Sequence, residues 1–162
     1  MISPSARQLT ALTIAVATWS DPLGLAQGIA DPSSPAVEER RQPLPVPDAQ
    51  AEYNRGVRAR VAQNWSDAVS AFQRAVALRA DFPEAWNELG YAFRNLGRYP
   101  EALDAYAEAL RLRPAFPEAL EYLGEAYVKL GRLEDARVVL GQLRPLDAAR
   151  AHELEEVIAK AR

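Results

Sequence analysis

The sequence predicts an all-α fold: a solenoid of three helix–turn–helix repeats closed by a C-terminal capping helix. Three observations carry this. One pattern recurs about every 34 residues, at 83–116 (PEAWNELGYAFRNLGRYPEALDAYAEALRLRPAF), again from 117 to 143, and more faintly at 49–82. A period of that size marks stacked supersecondary units rather than one globular core. Within each copy the apolar residues fall at helical spacing. Glycine and proline then separate the apolar runs.

The middle copy shows the logic most clearly. Trp86, Leu89, Gly90 and Phe93 stand at i, i+3, i+4 and i+7, one face of a helix. Ala102, Tyr106, Ala109 and Leu110 make a second stripe. Gly97 between them suits a left-handed C-cap, Pro100 a first helical position, and Pro114 a stop. Gly90 and Ala102 are small, which suits a close antiparallel crossing. In the first copy Glu52 and Arg55 replace large apolar residues, as an outward-facing terminal helix requires. After the third copy, Pro145 ends the array. Asp147 is placed to cap a last helix carrying Leu154, Val157, Ile158 and Ala161. That helix, within 147–162, reads as a lid over the last repeat.

These residues resemble the tetratricopeptide repeat (TPR) family. Trp86, Leu89, Gly90, Phe93, Ala102, Tyr106, Ala109 and Pro114 fill its signature positions. Leu120, Leu123, Gly124, Tyr127, Ala136 and Leu140 match in the third copy, and Gly56, Ala59, Ala68, Phe72 and Ala75 in the first. Leu143, Glu52 and Arg55 depart from the pattern. The resemblance covers residues 49–143, as repeats 49–82, 83–116 and 117–143.

The N-terminal third has another character. Residues 9–19, LTALTIAVATW, form an apolar run too short to span a bilayer, which takes about 20 residues. It fits the h-region of a signal peptide over residues 1–26, with cleavage near Ala26 or Ala30. Export to the periplasm or secretion is the expectation; an uncleaved membrane tether and a cytosolic protein with an unstructured start are the alternatives. Residues 27–48 form a proline-rich linker, with five prolines between 31 and 48, able to reach roughly 60 Å. Pro43, Pro45 and Pro47 lack P-x-x-P spacing, which favours a spacer over a ligand.

Composition narrows the function. The 162-residue chain has net charge −3 and no cysteine. Thiol catalysis, thiolate metal sites and disulfides are excluded, and no basic footprint for nucleic acid exists. His152 is the lone histidine, beside Glu153 and with Glu155 and Glu156 one turn on, a weak metal set that reads as solvated surface. No nucleophile, base and orienter assemble, and no phosphate-binding glycine loop appears. The expectation is a non-enzyme without cofactor or metal.

In the TPR family the first helix of each pair lines a concave groove. The resemblance places Tyr53, Asn54, Glu84, Asn87, Glu88, Tyr91, Asn95, Glu118, Glu121, Tyr122 and Glu125 there. The positions used by carboxylate-gripping TPR domains carry Tyr53, Val57, Glu88, Glu118 and Tyr122, which do not bind a carboxylate. The glutamates favour a basic segment, the tyrosines offer rigid contact, and the asparagines suit an extended backbone. The implied function is a scaffold of the bacterial cell envelope that holds a protein or peptide during assembly, secretion or maturation. A self-associating module, through Leu154, Val157 and Ile158, is the structural alternative.

Overall fold

A computed structural model describes residues 48–161. The expected signal segment, and all of the linker except Asp48, lie outside the described residues. Within them there are seven α-helices and no strand. These are α1 (Ala49–Val61), α2 (Trp65–Leu78), α3 (Pro83–Asn95), α4 (Tyr99–Leu112), α5 (Pro117–Lys129), α6 (Leu133–Leu143) and α7 (Ala148–Lys160). They pack as hairpins, α1 on α2, α3 on α4 and α5 on α6, each second helix against the first helix of the next pair. α7 packs on α5 and α6 and closes the array.

The helix ends follow from local chemistry. Asp48 caps α1 by accepting from Gln50 N and Ala51 N, and Asp147 caps α7 by accepting from Arg150 N at 3.0 Å. Pro83 and Pro117 stand first in α3 and α5, where no amide partner is lost. Pro100 sits second in α4, one place later than expected, behind Tyr99. Each hairpin turn is closed by the same pair of bonds. Arg98 N donates to Phe93 O and Gly97 N to Arg94 O, and Arg132 and Gly131 repeat this one unit on. Gly97 and Gly131 both take φ +72°. In the first hairpin Gln63 occupies that left-handed position at φ 56°, the strained exception.

The core is a run of interlocks rather than a ball. A Cβ built on Gly56 would lie 2.5 Å from the Phe72 ring, and one on Gly90 2.6 Å from the Tyr106 ring. In both hairpins a glycine on the first helix admits a ring from the second. The third hairpin has Leu140 at the ring position, and there the contact on Gly124 comes from Leu154 of α7 instead. Leu154 is fully buried, with Ala151 and Ile158 beside it. α7 is therefore the missing part of the third interlock. Leu154 and Ile158 are consumed inside the chain, which removes them as a self-association surface. Ala161, expected on the same stripe, is the exposed C-cap residue.

Gly90→Ala should destabilise the protein by about 1–3 kcal/mol despite alanine's better helix propensity, because the fully buried Tyr106 has nowhere to move. Urea unfolding checks this; a variant as stable as the parent refutes the interlock.

Candidate functional site

α1, α3, α5 and α7 pack side by side and form one face of the array. The stripe Glu84, Asn87, Tyr91 and Arg94 runs along α3, with i, i+3, i+7 spacing keeping these side chains on the same side. Tyr91 is the centre of an aromatic group. Its ring lies 5.2 Å from Tyr122 and 5.8 Å from Trp65, centroid to centroid. The Arg94 guanidinium stands 5.1 Å from the Tyr91 ring and 4.9 Å from the Tyr122 ring, between the two. Tyr53 is half-buried and leans on Phe72 and Phe82, so it shares in the core as well as the face.

The five face glutamates are not bare. Each meets an arginine of this chain, mostly across consecutive helices. Glu88 Oε2 of α3 lies 3.0 Å from Arg60 Nε of α1. Glu125 of α5 pairs with Arg94 of α3. Glu121 and Glu118 of α5 both pair with Arg150 of α7, Glu118 at 3.2 Å. Glu84 pairs with Arg113 just beyond α4. The expected acidic strip is thus an ionic ladder binding helix to helix. Glu121 is withdrawn from the surface, only 5% exposed. The side chains of Glu84 and Glu118 remain 40% and 48% exposed and are the open acids of the face.

The amides divide in the same way. Asn54 is exposed and accepts from Gln50 Nε2 at 3.1 Å; Asn95 is exposed and donates to Tyr91 O at 2.8 Å. Both have local partners. Asn87 is different. It is only 3% exposed, and its Oδ1 has no hydrogen-bond donor. A buried acceptor without a donor costs about 1–3 kcal/mol. The Tyr106 hydroxyl, from beneath the same region of α3, is likewise without a partner.

Burial raises the Glu88 carboxyl above the ordinary glutamate range, with Arg60 only partly opposing. It does the same to Glu121 against the hydrogen bond from Arg150. At Glu84 burial also pushes upward, but the Arg113 hydrogen bond and its neighbours outweigh it and the group sits below the usual range. Burial drives the Tyr106 hydroxyl far up, so it stays a neutral donor.

Trp65, Arg113 and Arg150 belong to this arrangement but not to the expected site; Arg60 and Arg94 are groove-facing positions that the sequence also indicates. A usable signal existed for the ladder. In its interhelical pairs, arginine and glutamate stand a little under one repeat length apart, so a one-unit offset of opposite charges predicts them. No such rule points to Trp65. His152 is exposed and lies 3.5 Å from Glu156, away from the face.

A protein built of stacked helix hairpins with one lined face is a helical-repeat protein, and comparison gives the type. Family models match at residues 71–104, as "Tetratricopeptide repeat", and at 90–131, as "TPR repeat". Residues 71–131 thus match tetratricopeptide repeats, and the described helices have the fold of that type. No curated protein matches it in sequence. Among solved structures, the TPR2B domain of yeast Sti1, in complex with pHsp70, superposes with TM-score 0.66 at 21% identity, over 70% of this chain and 94% of that one. PcrH, in complex with the chaperone binding region of PopD, gives 0.64 at 25% identity, over 70% and 92%. The Yersinia enterocolitica type III secretion chaperone SycD, with a peptide of the translocator YopD, gives 0.64 at 18%, over 68% and 91%.

The raised carboxyls make a pH prediction. A native pKa above the unfolded value, about 4.3 for glutamate, means the native state holds more protons in the window between the two. These groups therefore lose stability as pH rises through that window and level off above it. Glu88→Gln with Glu121→Gln removes the effect, so the stability of the double variant relative to the parent should rise with pH across it. Urea titrations from pH 4 to 7 measure this; a constant difference refutes it.

Proposed function

We propose that this chain is a non-enzymatic protein-interaction adaptor whose α1–α3–α5 face holds an extended segment of a partner protein. The observation that carries this is Asn87. An amide nearly closed off from solvent, with its acceptor unpaired, on the same stripe as a half-buried aromatic group, is costly unless something completes it. A peptide main-chain N–H is the kind of donor that the Asn87 Oδ1 lacks. Tyr91 and Tyr122 supply contact area at small entropic cost. Support also comes from the three structural neighbours named above, which are complexes with pHsp70, with the chaperone binding region of PopD and with a peptide of the translocator YopD.

The partner's charge is read from the ladder. Only Glu84 and Glu118 keep much carboxylate in solvent, so a single basic residue finds a place there. The rest of the contact is aromatic and amide. A carboxylate-gripping mode of binding does not suit this face, since Val57 packs on the core and Glu88 and Glu118 stand at the positions such a grip needs.

Photocrosslinking tests the face. A photoreactive residue at position 91, in cells of the source organism, should give one dominant protein adduct that position 134 on α6 does not give. Replacing Asn87 and Tyr91 by alanine together should cut capture of that protein about tenfold or more without loss of helicity. Equal labelling at both positions, or undiminished capture, refutes the reading.

We also propose that the adaptor works in the bacterial cell envelope. The support is the sequence pattern alone: the apolar run 9–19, then Pro22 and Gly24, then the small residues to Ala30, and a long proline-rich spacer before α1. Among the described residues no helix is long and apolar enough to cross a membrane. Mass spectrometry of the native protein should find a mature N-terminus near Gln27 or Asp31. An intact Met1 in soluble cytosol refutes export, and an intact Met1 in the membrane fraction identifies the tethered form.

A further inference from the structure

α3 carries a second lined surface on another of its sides. α2 and α4 do not pack directly against each other, because α3 lies beneath and between them. The seam they leave is a cleft of about 430 Å³. Its floor is apolar, with Val76 of α2, Trp86, Leu89 and Phe93 of α3 and Ala105 of α4, and Arg98 closes one end with its guanidinium 4.6 Å from the Phe93 ring. One wall is acidic. Glu101, Asp104 and Glu108 line it from α4, at i, i+3 and i+7, so three carboxylates follow one edge of the seam. Glu101 and Glu108 have only exposed same-helix pairs with Arg98 and Arg111. Such pairs are worth a fraction of a kcal/mol and exchange easily. Asp104 has no ion-pair partner among the described residues.

The next seam along the array lacks this pairing of features. One repeat on, Trp86 becomes Leu120, Asp104 becomes Val138 and Glu108 becomes Gln142. That seam keeps an apolar floor of Leu110 and Leu120 but has no acidic edge at those two positions. Asp104 and Glu108 therefore belong to the α2–α4 cleft and not to the repeat pattern, whereas the acid at position 101 recurs one repeat on as Asp135.

We propose that the α2–α4 cleft is a second docking surface, for a basic amphipathic helix of a partner protein. A groove between two neighbouring helices over a third is filled by another helix, with side-chain ridges entering the seam. Charge complementarity fixes its chemistry. Aliphatic residues at i and i+4 rest on the half-buried Trp86 and the edges of Val76 and Leu89, while lysine or arginine along one flank, at helical spacing, meets Glu101, Asp104 and Glu108. The surface uses a different side of α3 from Asn87 and Tyr91, so occupation of one does not require the other. An adaptor with two such surfaces joins an extended segment to a helix.

The test uses the full chain and a defined probe: an amphipathic leucine–lysine helical peptide about 15 residues long, with a leucine–glutamate peptide as control. Nitrogen-15 NMR titration should move the amides of Gln73, Leu89, Ala105 and Glu108. Asp104→Lys, at an exposed site, should weaken binding of the lysine peptide about tenfold by turning attraction into repulsion. Glu134→Lys makes the same change in net charge elsewhere on the surface and should leave the affinity unchanged. Shifts centred on Asn87, Tyr91 and Tyr122, equal weakening by both variants, equal binding of the glutamate peptide, or no binding each overturn the proposal. Crosslinking at position 91 is read independently of the Asp104→Lys and Glu134→Lys comparison, so the two surfaces stand or fall separately.

Discussion

A side chain pressed onto a bare glycine backbone holds each unit of this protein together. Gly56 takes the Phe72 ring, Gly90 the Tyr106 ring and Gly124 the Leu154 side chain. The contact fixes how close the two helices come, and that distance fixes everything stacked on them. A solenoid has no central core to average out a misfit, so each interlock bears on its neighbours alone. This makes the capping helix intelligible. With leucine at position 140 in place of a ring, the third glycine needs a side chain from elsewhere, and α7 brings Leu154 to it. The lid is thus part of the last repeat's packing, and its Arg150 follows to the two glutamates of α5.

The ionic ladder shows folding and recognition drawing on the same residues. Glutamates turned toward a partly desolvated face need compensation, because isolated buried charge is costly. Here the nearest compensation is an arginine on the adjacent helix. The result stiffens the spacing of α1, α3, α5 and α7 and removes most of the face's net charge. Selectivity then passes from long-range attraction to short-range fit: the ring pair of Tyr91 and Tyr122, and the amide of Asn87. The outward cleft reverses this balance. Its carboxylates are exposed, weakly held by their own helix, and free to exchange partners with a docking cation.

Much of the helix plan was legible in the sequence. Periodic apolar stripes and proline at helix starts are local signals, and they survive because tertiary packing agrees with them. Pro100 slipped by one place since Tyr99 also adopts helical geometry ahead of it. The face was legible as a group of residues and illegible as a surface. Asn54, Asn87 and Asn95 look alike in sequence, yet two have partners on their own helix and one is buried without any for its acceptor. Glu118 and Glu121 are three residues apart on one helix and both pair with Arg150, yet the Glu121 side chain is 7% exposed and that of Glu118 48%.

The sequence by itself determined the repeat length, the helix pairing and the side of each helix that turns inward, because those depend on residues within one turn or one unit of each other. The tertiary structure decided which side chain fills the third glycine contact, which glutamates stay open, and where the aromatic residues gather. Those outcomes depend on distances between helices that no spacing along the chain encodes, and on burial, which is a property of the neighbours.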